Sequence, residues 1–507
     1  MAGIKSLAKE TAIYGLSSIV GRFLNWLLVP LYVYEFSDPA EYGIVSYLYS
    51  ITAVVLVILN YGMETGFFRY ANKQPDYKGV YTTSLISVGF TSLLFMALLT
   101  LFIGPASEAV LLPSHQLYVW LMGITVAIDA FTNIPFAYLR FRKKAFRFAG
   151  VKLANVGINI GLNLLFLVAC PWLESHAPAT VDWFYTPLGG KAFGIGWIFV
   201  ANIISTLCVL LLLMPQILEC RWRFDAALLR RMLRYSWPLL ILGVAGILSQ
   251  NMGQIMIPYL FPGQRAAADA MVGIYGANIK IAIVMVMFTQ AFRYAYEPFI
   301  FAQAKGDGDD KKQAYGDAMK FFVVFGLLIF LAVMFYLPVL KHFVSKNYWP
   351  GLDVVPVMMI ADLCFGVFFN LSLWYKLTDR TQWGMYFSLF CFALMFGLTV
   401  WLVPAIGIPR GYMGSAYAAL ISYFTVMVLS YFIGRHYYPI DYPMKRLAAY
   451  TLLAGALWAI GSLAFSFPGS DWLRYSTRTL LLLVYLAIVC LNENVPLVSS
   501  RLRRLKR

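Results

Sequence analysis

Charge is scarce in this chain. Only 13% of its 507 residues are Asp, Glu, Lys or Arg, where a soluble protein carries roughly 25%. Histidine is scarcer still. The four are His115, His176, His342 and His436, and none stands at metal-ligand spacing to another. The six cysteines form no CxxC pair and most lie in or beside apolar runs, which argues against a zinc site or a disulfide framework. No Walker motif occurs, so ATP is not the expected energy source, and no cofactor or metal is expected. Long polar stretches are missing too. The longest gap between apolar runs is Pro171 to Lys191, too short for a soluble domain. Membrane glycan polymerases and ligases keep catalytic residues on a long outer loop, so this speaks against them. The Asp307-Gly308-Asp309 pattern, of a kind that holds metal in glycosyltransferases, lies in a short loop with no catalytic domain around it. The expectation is a protein that is not an enzyme.

What is present is hydrophobic sequence, 61% of the chain, in runs of 18 residues or more from end to end. Lipid forces each span to satisfy its own backbone hydrogen bonds, so the expected class is an all-α polytopic membrane protein. Fourteen spans are expected, near residues 11–34, 42–62, 79–103, 116–138, 148–170, 193–216, 236–260, 271–295, 317–340, 352–375, 383–404, 412–433, 446–467 and 473–491. The first is too long, and lacks the cleavage site, to read as a signal peptide.

The net charge of +16 reads as a topology bias and not as a nucleic-acid footprint. With the N-terminus placed in the cytoplasm, 28 Lys and Arg fall on the cytoplasmic side and 7 on the other, alternating correctly across every loop. Both termini are then cytoplasmic, and the tail RLRRLKR touches anionic membrane lipids.

A weak internal echo sets Gly43-Ile44 over Gly273-Ile274, an offset of 230 residues, which also lays span 1 over span 7. The expected organisation is an N-terminal lobe over 1–216, a basic linker over 217–235, a C-terminal lobe over 236–434, and a final helix pair with its basic tail over 435–507. Two such lobes rocking about a midplane site is a common transporter design.

Several stretches carry a family resemblance: Arg22 in span 1, DPAEYGIVSYLYS and GMETGFFRYANK around span 2, LRRMLRYSWPLLI opening span 7, and VGIYGANIKIA and AFRYAYEPFIFAQ in span 8. Together they resemble the polysaccharide-export (Wzx-like) flippases of the multidrug/oligosaccharidyl-lipid/polysaccharide exporter superfamily, over nearly the whole chain. The resemblance implies a MATE/MurJ-like fold in a bacterial inner membrane and a drive from an ion gradient or the membrane potential. It also implies a lipid-linked oligosaccharide as substrate, with polysaccharide polymerase machinery as a further partner. One departure stands out. Members commonly show an Asp-Arg pair in span 7, where this chain reads SQNMGQIM.

Polar groups are expensive in lipid, so those inside spans are informative. Tyr14, Ser18, Arg22 and Asn25 share one face of span 1. Lys152, Asn155, Asn159 and Asn163 form a stripe on span 5. Span 7 offers Gln250 and Gln254, and span 8 offers Lys280 and Arg293. Arg22, Asn25, Lys152, Asn155, Asn159, Gln250, Gln254, Lys280 and Arg293 are the candidate substrate-binding residues. The cations would hold a pyrophosphate, and the amides would bond sugar hydroxyls. Asp129 and Asp362, the deep carboxylates, are the ion-coupling candidates.

Plainer roles stand beside each of these. Arg293 pairs with Glu297 on one helix face, and Lys152 snorkels to headgroups. Asp129 is a structural partner of Arg22 or Lys152, Asp362 pairs with Lys280, and the Asn stripe glues helices. Trp120, Trp183, Tyr185, Trp349 and Trp374 are expected in the interfacial aromatic belt. The function expected is a flippase for a polyprenyl-pyrophosphate-linked oligosaccharide. A multidrug exporter and a peptidoglycan-precursor flippase of the same superfamily are the alternatives.

Overall fold

Among the described residues, each of the fourteen expected spans meets a helical segment, in the order that hydropathy predicts. The structure is a computed structural model that describes residues 15, 17, 19–220, 223–303, 308–378, 380, 382–463 and 471–493. Tyr14, Ser18, Asp307 and the basic tail lie outside the described residues. Helix α1 covers residues 19–26 and then Leu28–Glu35. It breaks at Leu27 because Pro30 has no N–H to give the carbonyl of Trp26. The next five are α2 (Pro39–Asn60), α3 (Tyr77–Leu101), α4 (Gln116–Phe141), α5 (Ala145–Leu164, continuing through a wide turn to His176) and α6 (Gly196–Leu212). Then come α7 (Ala226–Leu260), α8 (Arg265–Gln303), α9 (Gly308–Leu340) and α10 (Val354–Leu371). The last four are α11 (Gln382–Ile406), α12 (Tyr412–Tyr437), α13 (Met444–Leu463) and α14 (Asp471–Asn492). Twelve helices among the described residues are long and apolar enough to cross a membrane, and α6 is a shorter apolar helix.

Carboxylate caps fix several helix starts. Asp38 accepts from Ala40 N–H at 2.9 Å, Asp76 from Gly79 N–H at 3.1 Å, and Asp225 from Leu228 N–H at 2.9 Å. The Asp225 cap makes residues from Ala226 onward the first turns of α7, so half of the basic linker is helix. Helix α2 ends where Tyr61 and Gly62 turn left-handed, at φ of 31° and 71°.

Two compact units emerge: residues 1–277 with 388–415, and residues 278–387 with 416–507. In unit 1, α2 crosses the first half of α8 at a pair of glycines. A Cβ on Gly43 would strike the carbonyl oxygen of Asp269, and one on Gly273 would strike that of Pro39. The 230-residue offset carries one contact onto the other, Gly43 onto Gly273 and Pro39 onto Asp269, so the sequence echo meets itself as a two-fold crossing. Only glycine lets two backbones approach so closely. One turn on, Ser50 donates to Gln254, and Ser46 lies against Gly276.

In unit 2, α13 and α14 pack on α9 around buried charge. Lys320 donates to Glu493 at 2.5 Å and to Asp317 at 3.1 Å, while Tyr450 donates to Glu493 at 2.8 Å. Arg446 adds an ion pair to Glu493 at 3.6 Å. Higher up, buried Arg478 donates to the Phe335 carbonyl at 2.7 Å. The aromatic belt is only partly as expected. Trp183 is exposed, but Tyr185 is stacked on Trp197 at 4.6 Å and Trp374 on Tyr437 at 5.4 Å, both buried. Stacking on rings of other elements, Trp197 and Tyr437, outweighs the interface for these two side chains.

Candidate functional site

A cavity of about 320 Å³ lies inside unit 1. Five helices supply its wall. Helix α1 gives Asn25, α2 gives Tyr49 and Thr52, α4 gives Thr125 and Asp129, α5 gives Asn155 and Asn159, and α6 gives Asn202, Ser205 and Thr206. Apolar residues such as Leu56, Met122 and Val156 fill the rest. Gly21 of α1 sits against Val156, which brings the first helix to the rim.

The lining is held by one run of hydrogen bonds. Tyr32 donates to Asn163 at 3.0 Å, and Asn163 donates to the Asn159 side chain at 2.8 Å. Asn159 donates to Asn202 at 2.8 Å and to Ser205 at 3.3 Å, and Asn202 donates to Tyr49. The run ties α1, α5, α6 and α2 together. It spends most of the amide capacity and fixes which atoms stay open. Asn155 differs, because its buried Oδ1 has no hydrogen-bond partner. An unfilled acceptor at a cavity wall costs free energy until a ligand or water meets it. Asp129 is half-buried and accepts from Thr206 at 3.3 Å. It is the one charged group among the described lining residues.

Four of the sequence-predicted residues therefore meet here: Asn25, Asn155, Asn159 and Asp129. The two cations of unit 1 are elsewhere. Arg22 is exposed one turn before Asn25. Lys152 is half-buried, with its Nζ 4.1 Å from the centre of the Phe136 ring. It lies within electrostatic reach of Asp129, Glu64, Arg140 and Arg22. Glu64 is itself paired with Arg140 at 2.5 Å. Gln250 is exposed, whereas Gln254 is buried and bonded to Ser50 in the seam between α2 and α7. That is the helix-glue role of an intramembrane amide.

Unit 2 holds Lys280, Arg293 and Asp362. Lys280 and Asp362 are half-buried. Arg293 is exposed, with its guanidinium 4.4 Å from the Phe369 ring centre. The side chain of Glu297 lies outside the described residues.

Sequence reasoning missed Tyr49, Asn202, Ser205 and Thr206. A signal existed: Asn202 and Ser205 stand three apart, on one face of an otherwise apolar helix. Tyr49 and Thr206 offered none, since a lone Tyr or Thr in a span is common. Among the described residues no group of His, Cys, Asp and Glu could hold a metal ion.

By sequence, no known protein family and no curated protein matches the chain. Solved structures do resemble it in fold. A lipid II flippase MurJ, in an inward closed conformation, aligns over 94% of this chain and 99% of its own, with TM-score 0.66 and 12% identity. A multidrug resistance MATE family transporter of the MOP superfamily, inward-facing, aligns over 87% and 98%, with TM-score 0.63 and 13% identity. A MOP superfamily transporter from Pyrococcus furiosus, described as having a binding pocket of reversed polarity, aligns over 85% and 95%, with TM-score 0.54 and 14% identity. The all-helical MurJ/MATE-like fold is thereby shown.

Proposed function

We propose that this chain is a flippase. It moves a polyprenyl-pyrophosphate-linked oligosaccharide from the cytoplasmic to the outer leaflet of a bacterial inner membrane, by alternating access, for surface polysaccharide assembly. The observation that carries the reading is the unit 1 cavity. Its amides and hydroxyls suit the many donors and acceptors of a sugar, and its volume falls in the range of small-molecule sites. The unmet Asn155 acceptor is the kind of group a sugar hydroxyl satisfies. The cations that serve the pyrophosphate in this reading are Arg22, Lys152, Lys280 and Arg293, while the prenyl tail stays in lipid. The fold is also that of a protein described as a lipid II flippase, which supports a lipid-linked substrate. In this reading Asp129 and Asp362 couple the cycle to an ion gradient, and a polysaccharide polymerase receives the product.

The test is deletion followed by analysis of lipid-linked intermediates. Accumulation of a complete, undelivered repeat unit is the expected result; an unchanged intermediate pool would sink the proposal. Asp129 favours a second reading, because a single carboxylate in a polar cavity also suits a cationic drug. Heterologous expression separates the two: drug resistance without glycan export selects the multidrug exporter. Rescue of a lethal precursor-flippase deletion would instead select the peptidoglycan-precursor flippase.

A further inference from the structure

A second cavity in unit 1 has the opposite character. It is a groove of about 550 Å³ between α3 and the start of α7, with an almost wholly apolar wall. Ile86, Ser87, Phe90 and Thr91 form the α3 side, two adjacent pairs one turn apart on a single face. Phe224, Leu229 and Leu233 form the α7 side. The hydroxyls in the wall are turned to local partners. Tyr61 and Ser87 bond each other at 2.7 Å, and Thr91 bonds back to the Ser87 carbonyl at 3.2 Å. The groove is open, since Phe90 is 65% exposed and Phe224 46%. Neither water nor a polar ligand would gain a bond there, so the occupant is hydrocarbon.

The surroundings give the occupant its charge. Arg223 adjoins Phe224, Arg230 adjoins Leu229, and Arg234 adjoins Leu233; all three arginines are exposed. Arg230 and Arg234 stand one turn apart. The nearest acid in sequence, Asp225, is occupied in capping α7. The α3 residues lie nine to fourteen places after the helix start at Tyr77. That is roughly 14 to 21 Å along the helix, comparable with the depth of one leaflet. The groove shares no lining residue with the amide cavity. It is therefore a site separate from the one that lines the amide cavity, and its occupant is treated as a resident lipid.

We propose that this groove docks an anionic phospholipid, with one acyl chain between α3 and α7 and the headgroup phosphate against Arg230 and Arg234. The experiment is native mass spectrometry of the full-length protein in neutral detergent. It is titrated with phosphatidylglycerol and phosphatidylcholine of identical chains. Wild type should retain phosphatidylglycerol preferentially. Arg230→Gln with Arg234→Gln should lower that retention about thirtyfold, two basic residues' worth of attraction to an anionic lipid. Thr91→Trp, which fills the groove, should reduce retention of both lipids; Leu233→Gln at the exposed rim takes its place if that variant does not fold. Equal retention of the two lipids by wild type, or variants that behave as wild type, overturns the proposal. Displacement of phosphatidylglycerol by equimolar polyprenyl phosphate, itself blocked by Thr91→Trp, overturns the phospholipid assignment in favour of an isoprenoid site.

Discussion

Two polar clusters sit among apolar helices, and they are built on opposite principles. Around Glu493 in unit 2, charges close on one another: an ammonium, a guanidinium and a phenol converge on one carboxylate that is 5% exposed. Around Asn159 in unit 1, neutral amides hold one another at the back and leave a cavity in front, with the Asn155 acceptor unmet. A polar group inside a span is therefore not functional merely because it is costly. Its saturation decides. A cluster whose donors and acceptors are all spent holds helices together. One with capacity left over is ready for a ligand.

The largest effect that would test this contrast is on stability. Glu493→Ala leaves Lys320, itself 6% exposed, with only the half-exposed Asp317 as an acid among the described residues. Removing one partner of a buried pair costs about 3–5 kcal/mol. Thermal unfolding in detergent should show a loss of that order, and the double variant Lys320→Met with Glu493→Leu should recover most of it. A loss under about 1 kcal/mol would mean that the cluster is no better anchored than a surface pair.

The next effect separates packing from polarity within unit 1. Gly43→Ala and Gly273→Ala each push a methyl into a backbone carbonyl across the α2–α8 crossing. Overpacking of this kind costs roughly 1–3 kcal/mol. The two-fold geometry predicts nearly equal destabilisation for both variants and less than additive loss in the double variant, since one separation of the helices relieves both. Strictly additive losses would break the symmetry argument.

A smaller effect belongs to the cavity. Asn155→Ala removes an acceptor with no protein partner, so stability should change by under about 0.5 kcal/mol. Substrate affinity should fall about fivefold, the worth of one neutral hydrogen bond. In Glu493→Ala the two readouts exchange places, with stability lost and the affinity of folded protein kept. An Asn155→Ala variant that unfolds, or that transports with unchanged affinity, would place this residue with the structural amides.

The architecture was largely legible before any coordinates. Bilayer thickness is a one-dimensional constraint, and it gives the order of the helices and roughly their number. The α2–α8 contact was not expected from the echo, although the glycines that the echo aligns are residues that touch. The cavity was half legible. Asn25, Asp129, Asn155 and Asn159 stood out as polar residues in spans, but so did Gln254, which is buried in a helix seam. The two cases look alike in sequence. They differ only in whether a neighbouring helix offers a partner, as Ser50 does for Gln254, and that is a three-dimensional fact. Helix α6 was expected as a span, but its part in the lining is three-dimensional too: Asn202 meets its partners Asn159 and Tyr49 only in the fold.

The smallest predicted effect is a pH dependence confined to the closed cluster. Glu493 lies just past the end of α14. Burial pushes its carboxyl up, but the hydrogen bonds from Lys320 and Tyr450 and the charges of Lys320 and Arg446 outweigh that, so its pKa lies below the ordinary carboxylate value. A carboxyl held lower in the folded state than in the unfolded state binds fewer protons when folded. Its contribution is then fully present above the unfolded pKa of about 4.3 and is lost as pH falls through the folded value. Melting of wild type as pH falls from about 5 to about 3 should therefore show a progressive loss of stability that Glu493→Gln lacks. The amide keeps the shape and one acceptor but has no proton to take up. Asn155→Ala should follow the wild-type pH curve throughout, since a neutral amide does not titrate. If Glu493→Gln and wild type lose stability in parallel on acidification, the carboxylate is not what fastens α14 to α9, and Arg478 on the Phe335 carbonyl becomes the anchor to examine.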